Sequence, residues 1–146
     1  MKEPRVRVAG ILVEDKNVLL IKQSKGDKFY WLLPGGGLDY GESFEKCLER
    51  EFMEETSLKI EADELIFVSE SIAPDKSRHI VNLYFKVNLI GGEIKIGDEH
   101  NLLELKYMNI DEIENSTIYP NIKKELIEYI KNGCKQPAKL ISSRWE

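Results

Sequence analysis

Residues 36–58 read GGLDYGESFEKCLEREFMEETSL, a glycine turn followed, from Ser43 to about Thr56, by apolar residues at helical spacing. Ser43 suits an N-cap, although Lys46 and not a capping-box Glu stands three residues on. At about 100° per residue, with Glu51 at zero, Phe44, Cys47, Leu48 and Phe52 fall at roughly 20°, 320°, 60° and 100° and define the inward face. On the same wheel Glu54 falls at about 300° and Glu55 at about 40°, so with Glu51 they place three carboxylates in the buried sector. Such a trio repels itself and is costly to desolvate. Without a counter-ion its pKa values should rise until some members are neutral. A divalent cation removes the conflict, and oxygen ligands at i, i+3 and i+4 suit Mg²⁺ or Mn²⁺, which keep water and bridge to phosphates. The competing reading is a solvated acidic helix laced with Glu/Arg pairs, the usual account of a charge-rich helix. The placement of the carboxylates favours the metal, as does the preceding PGGG turn, whose backbone can approach a ligand closely.

Outward from this helix the pattern is mostly that of strands. Residues 5–13 (RVRVAGILV) and 17–22 (NVLLIK) read as a hairpin, and FYWLL at 29–33 as a third strand stopped by Pro34 and the glycines. The runs 65–72, 79–87 and 102–108 carry the β-branched and aromatic content of a sheet, with Val81, Leu83, Phe85 and Val87 expected on one face. Pro120 opens and Gly133 closes a second helix with the stripe Ile122, Leu126, Ile127 and Ile130. Residues 134–146 show no clear pattern and read as an extension, packed or loose. The expectation is one α+β domain over residues 1–146, with a mixed sheet and two main helices.

Composition bounds the function. The chain of 146 residues is 42% apolar and 32% charged, which excludes disorder. Its net charge of −5 excludes coating a polyanion by mass electrostatics. Residues 39–55 hold seven acids and two bases, so that charge belongs to one loop and helix, and the rest of the chain is formally neutral. Divalent ions bound there would turn the acidic patch into the surface best suited to a pyrophosphate. Cys47 and Cys134 form no CxxC or Cys/His pattern, and no run approaches the roughly 18 apolar residues of a membrane span. A cytoplasmic protein with no membrane contact is therefore expected.

The stretch from Gly36 to Leu58 resembles the signature of the Nudix hydrolases, which has glycine, five residues, Glu, seven residues, then Arg-Glu, an apolar residue, any residue, Glu-Glu, any residue, glycine and an apolar residue. Gly36, Glu42, Arg50, Glu51, Phe52, Glu54, Glu55 and Leu58 fill its fixed positions, and Ser57 replaces the second glycine. That replacement questions the helix C-cap, since Ser adopts the left-handed conformation less readily than Gly. The resemblance covers most of residues 5–132 and implies an α/β/α sandwich. It implies that Glu51, Glu54 and Glu55, with the Gly36 carbonyl, hold two or three Mg²⁺ or Mn²⁺ ions when substrate is bound. It implies a Glu42–Arg50 salt bridge. The implied reaction is attack of water on a phosphorus of a nucleoside diphosphate linked to a group X, with metals neutralising charge and a carboxylate taking the proton. For that base the region 96–113 nominates Glu99, with Glu104 or a box Glu as the alternative.

The group X lies outside the box. Pro74 stands near the position of a marker proline in ADP-ribose pyrophosphatases of the family, although a loop proline is ordinarily a turn residue. Lys76, Arg78 and His79 in the same loop are candidates to meet phosphate or ribose, against the plainer reading of solvated loop charges. Arg5 and Arg7 alternate with Val6 and Val8 and share a sheet face that can reach a nucleotide or a partner subunit. Tyr84 and Asn82 either line the base pocket or pack under a helix, His100 is a further candidate contact, and Trp31 reads as core. The expected partner is a small nucleotide, with a capped RNA 5′ end the one polynucleotide in view, and a homodimer follows from the resemblance alone. A non-catalytic nucleotide- or partner-binding module on the same fold is the second function class, because fold does not fix function.

Overall fold

The computed structural model describes residues 2–99, 101–142 and 145 of the chain. Strands β1 (Arg5–Ile11), β2 (Val13–Glu14), β3 (Asn17–Lys25), β4 (Lys28–Leu32) and β5 (Gly35–Gly37) precede helix α1 (Phe44–Thr56). After it come β6 (Lys59–Ile72), β7 (His79–Gly91), β8 (Leu102–Met108), α2 (Ile110–Glu114), α3 (Lys123–Lys131) and β9 (Lys139–Ile141). One sheet runs β5-β1-β7-β6-β9, with β1–β7 and β6–β9 parallel and the other pairs antiparallel. The second sheet is antiparallel, with β3 between β4 and β8, and β2 also on β3.

Two apolar clusters account for the sandwich. Val8 and Leu19 join Cys47, Leu48 and Phe52 of α1. Ala9, Ile11, Val18 and Leu20 join Leu126, Tyr129 and Ile130 of α3. Neighbouring residues of β1 and β3 thus point into different clusters, which is why these strands read as continuous apolar runs and not as a clean alternation.

The expected fold class is present; the structure revises one of its parts and sharpens two others. The mixed sheet is two sheets, because β3, β4 and β8 pair only among themselves and with β2. On β7 the deeper face carries Asn82 and Tyr84, while Phe85 and Val87 pack toward α1. A strand covered on both sides has no solvent face for the alternation to reveal. The tail, expected as an extension either packed or loose, is packed over part of its length. Residues 139–141 form β9, parallel to β6, with Ile141 only 3% exposed. Among the described residues no helix is long and apolar enough to cross a membrane.

Candidate active site

Helix α1 starts as the sequence predicts. Ser43 is extended at φ −74° and ψ 160°, and its hydroxyl accepts from Lys46 N at 3.1 Å. Its end is made without the usual glycine. Ser57 takes the left-handed conformation at φ 63°, its N–H bonds to Met53 O, and its hydroxyl donates to Lys95 O at 3.1 Å. Glu51 and Glu55 are buried at 8% and 7% exposure, whereas Glu54 is exposed at the rim of the face, which corrects the three-in-one-sector reading. Phe44 is also more exposed than expected, at 42%, with its ring 5.8 Å from that of Phe85.

Loop and helix are locked by Arg50. Its Nε and Nη2 donate to the two oxygens of Glu42 at 2.8 and 2.9 Å, and its Nη1 donates to Glu51 Oε1 at 2.8 Å. Glu54 and Asp39 lie 3.7 and 3.5 Å from the same guanidinium. Hydrogen bonds from Arg50 hold the Glu42 carboxyl down at about 2. Arg50 therefore orients two carboxylates at once, a task suited to a planar fork of five donors. A Cβ on Gly36 would lie 2.4 Å from the Glu51 carboxyl, so only glycine lets the turn sit against this acid.

Glu99 arrives from the far side. The segment after β7 is hydrogen-bonded to the last carbonyls of α1, from Lys95 N to Thr56 O at 2.9 Å and from Gly97 N to Glu55 O at 3.0 Å. A Cβ on Gly97 would meet Glu54 O at 2.0 Å, so backbone lies directly on backbone there. Carboxylate oxygens of Glu51, Glu54 and Glu99 consequently lie within 4.8 Å of one another. This all-oxygen set fits a hard divalent cation. Glu55 stands outside that trio, accepting from Gly35 N at 2.9 Å. Burial pushes its carboxyl up to about 8, against the lowering by Gly35 N–H and by Arg7. Burial likewise raises Glu51, which Arg50 opposes. Glu104, the alternative base, is an exposed residue of β8 opposite Lys22 and lies outside the trio.

Of the remaining candidates, Arg7 is the best placed. Its Nη2 donates to Leu33 O at 3.0 Å, while its buried Nη1 has no hydrogen-bond partner among the described residues. A buried donor left unmade is costly, and a substrate oxygen would satisfy it. Arg5 lies over Gly37, its Nη2 being 3.2 Å from where a Cβ there would stand. Arg78 is exposed and lines a cavity of about 700 Å³ together with Tyr30 and Tyr119. His79 Nε2 is 2.9 Å from Glu70. Tyr84 must be withdrawn from the substrate contacts. It is 0% exposed, packed edge-on against Phe67 and bonded to the Ser69 hydroxyl at 3.4 Å, so no ligand reaches it. His100 lies outside the described residues. Two residues that the sequence reading missed, Gln23 and Asn101, border the site. Gln23 lines a recess with Glu54, Asp98, Glu99 and Asn101, and its Oε1 accepts from Tyr30 Oη at 3.0 Å. No local motif marks either residue, because Gln23 of β3 and Asn101 before β8 meet only through the pairing of those two distant strands.

An acid-lined turn and helix on a two-sheet sandwich define the class of domain, and comparison with known proteins identifies it. Residues 3–130 match the NUDIX domain model, and the chain belongs to that family. It is 36% identical over 107 residues to an ADP-ribose pyrophosphatase of Methanocaldococcus jannaschii, covering 73% of this chain and 63% of that protein. A MutT-like protein of Streptomyces ambofaciens is 38% identical over 95 residues, 64% of this chain and 58% of its own length. The chain thus spans under two thirds of the length of these curated relatives. A NUDIX hydrolase from Nitrosomonas europaea superposes with a TM-score of 0.81 at 27% identity, over 100% of this chain and 81% of that one. An ADP-ribose pyrophosphatase from Streptococcus suis shares the fold, with a TM-score of 0.72 at 18% identity over 97% of this chain and 100% of that one.

Proposed function

We propose that this protein is a divalent-metal-dependent pyrophosphohydrolase of nucleoside diphosphate derivatives. The observation that carries the reading is the convergence of Glu51, Glu54 and Glu99 within 4.8 Å. Mg²⁺ or Mn²⁺ bound there would neutralise the pyrophosphate oxygens and lower the pKa of water. Glu51 and Glu54 hold the ion, with Arg50 fixing the Glu51 carboxylate so that it presents its second oxygen. Arg7, half-buried on β1 opposite Gly37, adds positive charge beside the glycine turn that faces the pyrophosphate. Glu99, exposed on its loop beside Gln23 and Asn101, accepts the proton of the attacking water. The Gly35 N–H holds Glu55 in place, where it braces the turn behind the trio. An ADP-ribose-like substrate is favoured by the name of the Methanocaldococcus relative. Free thiols at Cys47 and Cys134 suit a reducing, cytoplasmic setting.

The test is phosphate or nucleotide release from ADP-ribose, nucleotide sugars, dinucleoside polyphosphates, nucleoside triphosphates and capped RNA 5′ ends, with Mg²⁺ and with a chelator. Turnover of at least one compound, abolished by the chelator, is expected. Glu99→Gln should lower kcat by about 10²–10⁴-fold. Glu54→Gln should instead raise the Mg²⁺ concentration needed for half-maximal rate. Complete inactivity across the panel would leave a non-catalytic binding module.

A further inference from the structure

Next to the acidic recess the molecule reverses its charge. The 700 Å³ cavity has an aromatic wall of Phe29, Tyr30 and Tyr119. Around that wall stand Lys25, Lys28, Arg78 and Lys123, and no described residue lining it is acidic. The Tyr30–Gln23 hydrogen bond is the partition between this cavity and the recess that holds Glu54 and Glu99. Whatever leaves the metal-binding acids on this side enters a cationic, aromatic chamber.

The cations are arranged at a cost to stability. Lys25 and Lys28 are direct cross-strand partners at the end of the β3–β4 hairpin, and like charges placed opposite each other destabilise a sheet. Asp27 in the intervening turn is the nearest acid in sequence. Among the described residues Lys25, Lys28 and Arg78 form no ion pair, and Lys123 donates to the Glu114 carbonyl at 3.1 Å. A pyrophosphate held by the acidic trio leaves these groups unused, since the Lys25–Lys28 rung lies two residues, roughly 7 Å, beyond the Gln23–Tyr30 rung. Arg78 also lines a neighbouring cavity in which Lys2, Arg5 and Lys76 outnumber the one acid, Glu3.

We propose that this chamber receives an organic group bearing its own phosphate, so that the preferred substrate is a nucleoside diphosphate derivative with an anion beyond the pyrophosphate. Rings of the substrate lie against Tyr30 and Tyr119, whose own rings are 5.5 Å apart, and the extra phosphate meets Lys28 and Arg78. The proposal rests on the pyrophosphohydrolase reading and specifies its substrate.

The experiment compares ADP-ribose with ADP-ribose 2′-phosphate and ADP-ribose 1″-phosphate, which add a phosphate at either end, under identical Mg²⁺. At least one phosphorylated form should show kcat/KM higher by roughly tenfold or more, mainly through KM, and rising salt should shrink that advantage. Charge reversal of the exposed pair, Lys25→Glu with Lys28→Glu, should collapse the ratio between the two substrates, while Lys28→Arg should keep it. Equal efficiencies for the three compounds, or a ratio that survives the double reversal, would overturn the proposal and leave the hydrolase standing. Absence of Mg²⁺-dependent turnover from these compounds and from the wider panel removes both readings together.

Discussion

Glu55 and Glu42 pull the stability of the metal-free protein in opposite directions. The folded-state value of Glu55 is raised from 4.5 to about 8, so its contribution is complete below 4.5 and is lost as pH rises toward 8. The raised Glu51 acts in the same sense. Glu42 is depressed from 4.5 to about 2, so its contribution is complete above 4.5 and is lost as pH falls toward 2. The chelated protein should therefore be most stable near pH 4.5–5, with Tm declining toward pH 8. Mg²⁺ or Mn²⁺ should raise Tm more at pH 8 than at pH 5, because at low pH protons compete with the ion for Glu51, whose carboxyl burial raises. A Tm that rises steadily to pH 8 in the presence of chelator would contradict this. Gly36→Ala puts a Cβ 2.4 Å from the Glu51 carboxyl, and Mn²⁺ affinity measured by titration should weaken about 10–100-fold as that ligand is displaced. Glu51 and Glu55 were readable in advance from the helix wheel, whereas the Glu42–Arg50 pair was read from the resemblance to the family signature. Glu54 misled slightly, since a wheel gives direction but not the height of the neighbouring surface.

At the scale of elements, the decisive join is the segment between β7 and β8 lying on the C-terminal end of α1. Gly97→Ala would drive a Cβ to 2.0 Å from Glu54 O, forcing the loop off the helix and Glu99 away from Glu51. Activity should drop toward that of Glu99→Gln, and hydrogen exchange at the Lys95 and Gly97 amides should quicken, because their bonds to Thr56 O and Glu55 O are lost. Unchanged exchange at both amides would show that the loop is held some other way. Glu99 was nominated from the sequence by resemblance. Its meeting with Glu51 and Glu54 depends on backbone contacts between segments far apart in the chain, which no periodicity encodes. The same holds for Tyr84. Alternation along β7 correctly set Asn82 and Tyr84 opposite Val81 and Leu83, yet only the packing of Phe67 and α3 shows that this face is closed.

Across the whole molecule, the charge of −5 is split into an acidic recess and a basic aromatic chamber that share the Gln23–Tyr30 partition. The C-terminal segment closes the fold on another side. Ile141→Ala should cost about 2–5 kcal/mol, read as a lowered denaturant midpoint at unchanged m-value, because Ile141 belongs to the same cluster as Tyr84 and Leu126. A change below about 0.5 kcal/mol, the scale of an ordinary surface substitution, would show that β9 is not anchored in solution. By itself the sequence determined the family signature, the α1 helix with its N-cap, the Glu42–Arg50 lock and the location of the negative charge. All of these depend on neighbours within a few turns of chain. Tertiary structure decided the two-sheet division, the burial of Tyr84, the docking of β9, the arrival of Glu99 and the chamber built from β3, β4 and the stretch before α3. Those features arise where segments distant in sequence meet, and the free energy that selects them comes from burial and backbone pairing between segments, which a local pattern does not carry.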